Sequence, residues 1–143
     1  MRGDLTVAII RPAIIESSLE EPSAGWLAGL KMADPLIIGF GKGRLPDFPA
    51  TPSITLDVIP VDIVVNATLA ATAQSYEKGG LEVYHVSSGY TNPLSFQRLH
   101  DLTVEYFRKY PMLDKGTPIP VSAWKFPSKE KFSKEFAGKL RYP

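Results

Sequence analysis

The run from Leu5 to Ile10, LTVAII, narrows what this chain can become more than any other stretch. Its residues are mostly apolar and β-branched and do not alternate with polar ones. That pattern belongs to a strand covered on both faces, as in a parallel sheet. It predicts a central strand, yet nothing before it in the sequence can pair with it.

The segments that follow read as helices and further strands. Trp26, Leu27, Leu30 and Met32 predict a short helix after the acidic loop Glu16 to Ser23. Asp34-Pro35 offers a cap and then a proline at the first helical position, with Leu36, Ile37 and Phe40 on one side and Gly41 and Gly43 as stop signals. Thr55 to Ile59 reads as a strand, and Asp62 is placed to cap a helix from Ile63 to about Ser75 that Gly79-Gly80 closes. Leu81 to Val86 is another strand. Ser95 is the expected cap of a helix from Phe96 to Lys109, with Phe96, Leu99, Leu102, Thr103, Tyr106 and Phe107 as its apolar stripe and Pro111 beyond its end. The tail is irregular through Trp124, and after Ser128 a basic helix repeats Phe132, Phe136 and Leu140. Strands that alternate with helices make an α/β order with a parallel sheet.

Composition bounds the chemistry. A chain of 143 residues, 44% hydrophobic and 22% charged, suits one ordinary globular domain. The absence of cysteine excludes disulfides and thiolate metal sites, and His85 and His100 lack metal-ligand spacing, so no metal is expected. A formal charge of +1 gives no nucleic-acid surface. No apolar run approaches the roughly 20 residues that span a bilayer, and the first one is closed by Arg11 rather than by a cleavage site. A cytoplasmic protein is expected, with association to a membrane surface as an alternative. The 13 prolines cluster around 46 to 60 and 111 to 127, where irregular connections are expected.

Short motifs carry little by themselves. Gly39-Phe40-Gly41-Lys42-Gly43-Arg44 has the look of a phosphate loop, but a dinucleotide loop needs a further glycine and a helix start, and here Arg44 and prolines follow. A helix end and turn is the plainer reading. Ser87-Ser88-Gly89 is half of a nucleophile elbow, with Val86 where the first glycine belongs. Glu16, Glu20 and Glu21 are candidate acid/base carboxylates or simply solvated loop acids. The basic last helix is an anion- or membrane-facing surface or an ordinary solvated face.

Longer phrases are more specific. VAIIRPAIIESSLEEPSAGWLAGLKMADPLI, GKGRL, LDVIPVDIVVNATLAA and VYHVSSGYTNPLSFQRLHDLTVEYFRKYP, in that order over roughly residues 5 to 111, resemble the fatty acyl-CoA reductases, an extended branch of the short-chain dehydrogenase/reductase superfamily. GTPIPVSAWKFPS is similar to bacterial members. The resemblance implies the C-terminal portion of a Rossmann-type parallel sheet plus substrate-side helices, with the first half of the sheet missing. Residues 1–110 would belong to that reductase domain, and 111–143 would form a proline-rich linker and basic amphipathic helix. The glycine fingerprint and the catalytic Tyr-x-x-x-Lys of the family lie upstream of the Arg-Pro phrase. Tyr76, Tyr84, Tyr90, Tyr106 and Tyr110 are followed four residues on by Gly80, Ser88, Leu94, Tyr110 and Asp114, and Tyr142 has no residue there, so no catalytic residue is assigned.

By the same resemblance, the main chain of Pro12, Ala13 and Ile14 lies beside the nicotinamide of NADPH. Ile15, Ser17, Gly25, Trp26 and Met32 line the acyl side, and Arg11 and Asp62 are structural. For Trp26 and Met32, plain core packing is the equal alternative. The expected partners are a long-chain acyl-CoA or acyl-carrier-protein thioester and the missing N-terminal half of the reductase. The chain is then part of an NADPH-dependent reductase that forms fatty aldehyde or fatty alcohol and is inactive alone. A non-catalytic acyl-binding or interaction module, or a truncated chain that does not fold alone, remain the alternatives.

Overall fold

A computed structural model describes residues 3–45, 47–121 and 125–140. In chain order the elements are β1 (Val7–Pro12), β2 (Ile14–Glu16), α1 (Asp34–Gly41), β3 (Thr55–Leu56), β4 (Val58–Pro60), α2 (Val61–Lys78), β5 (Leu81–Val86), β6 (Leu94–Ser95), α3 (Phe96–Lys109), β7 (Leu113–Asp114), β8 (Thr117–Pro118) and α4 (Lys129–Leu140). They divide into two compact units. One comprises Met1–Met32 with Asp57–Pro93, the other Ala33–Leu56 with Leu94–Pro143.

The first unit is built on parallel pairing. β1 runs beside β5 with Val7 opposite Leu81 and Pro12 opposite Val86, and β2 runs beside β4 with Ile14 opposite Val58. Backbone N–H groups alternate in direction along a strand, and the sheet uses that alternation. The N–H groups of Val7 and Ala13 donate to Gly80 and Val86 on one edge, whereas that of Ile14 donates to Asp57 on the other. β5 and β4 therefore flank opposite edges of one nearly continuous strand. Among the described residues, the β4-side edge of Val7–Pro12 has no strand partner. The ring nitrogen of Pro12 falls on that edge, so proline costs the ladder with β5 nothing.

α2 connects β4 to β5 and packs on β1, β2, β4 and β5. Tyr84 reaches it through a 3.2 Å hydrogen bond to Gln74 Oε1. The expectation that the first strand is covered on both faces is corrected here. Register places Ile9 beside Val83 on the other face, and both stand open, at 38% and 43% exposure, next to Leu81 at 54%. α2 covers only one side, which is why the β-branched run is not buried. The strand itself lies two residues later than the apolar run, because Arg11 and Pro12 continue the pairing with β5.

Three further expectations shift. No helix forms over Trp26 to Met32: Gly25, Gly29 and Met32 have φ of 77°, 85° and 49°, left-handed values that break a right-handed helix. The expected strand Thr55 to Ile59 divides at Asp57. Thr55–Leu56 pairs antiparallel with β6 in the second unit, and Val58–Pro60 pairs with β2 in the first. α1 begins at Asp34 itself, flanked by Ala33 with no side-chain cap bond, and α2 begins at Val61 and runs to Lys78, so Asp62 sits inside the first turn rather than before it.

The second unit centres on Phe40, Val104 and Phe107, with Ile37, Met112 and Val121 packed around them. α3 starts where Ser95 predicts, the Ser95 hydroxyl accepting from the Arg98 N–H at 3.1 Å. Its buried face is His100, Thr103, Val104 and Phe107; Leu102 and Tyr106 of the expected stripe are exposed. The inward residues recur at three and four positions from Phe107 backward, and Leu102 and Tyr106 fall on the flank of that stripe. His100 is held by Asp101 at 2.8 Å and meets the Phe126 ring edge-on. Ser128 caps α4 through the Lys131 N–H at 3.3 Å. Trp124 and the side chains of Phe136 and Leu140 lie outside the described residues.

Candidate functional site

In the first unit, the chain leaves β2 at Glu16 and turns back over the carboxyl end of the sheet. Two anchors hold that turn. Ser18, only 4% exposed, donates its N–H to the Trp26 carbonyl at 2.9 Å and its hydroxyl to the Ser23 carbonyl at 2.6 Å, while Gly25 returns its N–H to Ser18 at 2.9 Å. Gly25 reverses the chain at φ 77°, which a side chain would resist. The second anchor is Asp62, whose carboxylate accepts from the N–H groups of Leu19, Glu20 and Glu21 at 3.0, 2.8 and 3.1 Å. The Leu19 N–H foremost, then that of Glu20, holds the Asp62 carboxyl well below the usual carboxylate range. Asp62 thus ties the acidic loop to the start of α2.

The pinned loop and the strand ends enclose a cavity of about 420 Å³. Ala13, Ile14 and Ile15 supply one wall, Trp26, Leu27, Ala28 and Met32 another, with Val61, Glu16 and Lys31 completing it. The volume falls in the usual range for small-molecule sites, and the walls are chiefly apolar. Of the residues that the sequence nominates, Ala13, Ile14, Ile15, Trp26 and Met32 meet here. Pro12 stays within β1, Ser17 follows β2 and Gly25 is the reversal point of the loop; none of these three lines the cavity. Sequence reasoning missed Lys31 on the wall and Ser18 beneath it. Lysine in a loop and one serine of a Ser-Ser pair carry no pattern that would have marked them.

The strand end also limits how it can hold a ring carboxamide. The N–H of Ala13 donates to Val86 and that of Ile14 to Asp57, so both amides are committed to the sheet. Neither N–H is available to a ligand at that strand end.

The shorter motifs resolve into structure. The Ser88 hydroxyl is hydrogen-bonded to the Val58 carbonyl, and the Ser88 and Gly89 N–H groups donate to Asp57 at 3.1 and 2.9 Å. That arrangement fastens the turn after β5 and engages the Ser88 hydroxyl with the main chain. Gly39 to Arg44 is the end of α1: Lys42, Gly43 and Arg44 donate their N–H groups to Ile38, Phe40 and Gly39. Those amides close a helix and cannot also cradle phosphate.

Comparison with known proteins agrees with the longer phrases. An NAD-binding family model described as "Male sterility protein" matches residues 1–68. The chain is similar to fatty acyl-CoA reductase 1 of Arabidopsis thaliana, 47% identical over 122 residues, which is 84% of this chain and 25% of the relative. Fatty acyl-CoA reductase 2, chloroplastic, of the same plant is 43% identical over 139 residues, 92% of this chain and 23% of the relative. The alcohol-forming fatty acyl-CoA reductase of Simmondsia chinensis is 38% identical over 115 residues, 79% and 23%. The chain spans about a quarter of the length of these curated relatives. With its α/β order and parallel pairing, the chain belongs to the fatty acyl-CoA reductase family.

Proposed function

We propose that this chain supplies the substrate side of a reductase that converts long-chain acyl thioesters, of coenzyme A or of an acyl carrier protein, into fatty aldehyde or fatty alcohol. The observation that carries the reading is the cavity at the carboxyl ends of parallel strands β2 and β4, where open α/β sheets hold their ligands. Ile15, Trp26 and Met32 offer the apolar surface that an acyl chain needs, with Ser17 and Gly25 shaping the loop that carries Trp26. Pro12, Ala13 and Ile14 form the cofactor side, through carbonyl oxygens and side chains. Bound NADPH supplies hydride, and the match to an NAD-binding family model supports a nicotinamide cofactor. In this reading residues 1–110 are the reductase part and 111–143 a linker and basic helix.

The sequence contains no Tyr-x-x-x-Lys, so an acid to meet alkoxide charge must come from elsewhere. The reading assigns it to an upstream half of the reductase, docked along the free edge of β1 and over Ile9, Leu81 and Val83. The chain alone should then show negligible acyl-CoA-dependent NADPH oxidation, and co-expression with an upstream Rossmann half should restore it. Robust turnover by the chain alone refutes this division of labour.

A second reading, a non-catalytic acyl-binding module, is favoured by the exposure of Trp26, Leu30 and Met32, at 44%, 64% and 61%. Calorimetry separates the two: tight acyl-CoA binding that is indifferent to NADPH supports the module.

A further inference from the structure

The end of α1 and the hairpin β7–β8, both in the second unit, enclose an open cleft of about 780 Å³ that the acyl cavity does not share. Three cations line it, Lys42, Arg44 and Lys115, against one carboxylate, Asp114. Among the described residues none of the three has a carboxylate within salt-bridge distance. Like charges gathered in one cleft repel one another unless an anion lies between them.

Two backbone features hold these cations in place. Gly43, two residues past α1, has φ 66°, and a Cβ there would lie 3.3 Å from Ile119 Cγ2, so glycine lets the helix end close onto the residue that follows β8. Lys42 and Arg44 flank that glycine, and the N–H groups of Lys42, Gly43, Arg44 and Leu45 are all bonded back into α1. On the opposite side, Lys115 and Gly116 form a two-residue hairpin loop with φ of 48° and 85°. Such loops demand left-handed backbone at both positions and favour Asn-Gly. Lysine there sits in a conformation that its side chain disfavours, and strained residues of this kind collect where the side chain has work to do.

We infer that Lys42, Arg44 and Lys115 form a phosphoanion site, one that takes a phosphomonoester or diphosphate through side-chain charge rather than through backbone amides. The arginine fork matches phosphate oxygens in a bidentate way, and the two ammonium groups add point charge. The cleft exceeds the size of a lone ion, so the phosphate belongs to a larger molecule. The phosphorylated nucleotide end of an acyl carrier and an anionic lipid headgroup share this chemistry. The inference does not depend on the reductase reading, because the cleft lies in the other unit.

The test uses the 143-residue chain and two probes, adenosine 3′,5′-bisphosphate by calorimetry and phosphatidic-acid-containing vesicles, which present a phosphomonoester, by sedimentation, with phosphatidylcholine vesicles as blank. Saturable binding is expected for at least one probe, weakening as salt rises from ~0.05 to ~0.3 M. Lys42→Ala, Arg44→Ala and Lys115→Asn should each lose on the order of tenfold in affinity, as one charge-assisted bond implies. Lys78→Ala, on α2 of the first unit, should lose none.

Lys115→Asn keeps the result interpretable. Asparagine suits the turn, so the thermal midpoint should hold or rise while binding falls, which a purely structural role for Lys115 would not produce. Binding of the bisphosphate alone identifies a nucleotide source, and binding of vesicles alone a headgroup; both support the site. Binding of neither probe at low salt, or binding that all three substitutions leave unchanged, overturns it.

Discussion

Replacing Gly41 by alanine tests the packing that sets the end of α1. A Cβ at Gly41 would lie 2.4 Å from Phe107 Cζ and within 2.7 Å of both Cε atoms. Carbon atoms in contact sit at about 3.5–4.0 Å, so the overlap exceeds 1 Å. Phe107 cannot easily yield. It is 4% exposed, tilted against Phe40 at 6.4 Å between ring centroids, and enclosed by Val104, Ile37, Met112 and Val121. Inserting a methyl into such a core costs about 1–3 kcal/mol. Alanine gains up to about 1 kcal/mol over glycine in a helix interior, and less at Gly41, the last helical residue. The clash wins by about 1–2 kcal/mol.

In urea unfolding followed by circular dichroism, that loss lowers the midpoint by roughly 1 M for a domain of this size. The parallel substitution Gly41→Ala in a Phe107→Leu background removes the ring the methyl meets. Alanine should then cost at least about 1 kcal/mol less than in the parent, a coupling that only direct contact produces. If Gly41→Ala is as stable as the parent, or costs the same with Phe107 replaced, the close approach of α1 to α3 is wrong.

Three further outcomes follow from the same geometry. Ser95→Ala removes the acceptor of the Arg98 N–H and should cost about 1 kcal/mol, read as a lowered thermal midpoint with faster amide exchange in the first turn of α3. The Asp62 carboxyl is depressed in the folded chain, so its hold on Leu19 to Glu21 is complete above the unfolded value near ~3.9 and is lost as pH falls toward the folded one. Protection of those three amides, taken relative to the intrinsic exchange rate at each pH, should therefore persist below the usual carboxylate range and fall only in strong acid, and Asp62→Asn should lower it at neutral pH. The proposed acyl side predicts that Trp26→Ala weakens acyl-CoA binding on the order of tenfold in calorimetry, and that shortening the acyl chain affects that variant less than the parent.

Much of the local structure could be read from residue order, because its causes are local. The cap at Ser95, the end of α2 at Gly79-Gly80 and the strand Leu81–Val86 each depend on a few adjacent residues, and all three appear where the sequence puts them. The α/β order and the family phrases were legible for the same reason. So was the end of α1, since Gly43 takes the left-handed φ of 66° that closes a helix, two residues beyond Gly41.

What the chain cannot state in its own order is which segments meet. Asp57 divides one apolar run between two partners, and only the positions of Ile14 and Leu94 reveal the break. Burial of His100 and Val104, rather than Leu102 and Tyr106, depends on where α3 meets Phe40. The loop over Ala13 to Ile15 is held by Ser18 and by Asp62, which lies 43 residues beyond Leu19. Lys115 joins Lys42 and Arg44 only because a hairpin closes onto a helix end some seventy positions earlier. Periodicity and capping are properties of neighbouring residues, whereas a cavity or a cleft of charge exists only once distant segments are packed together.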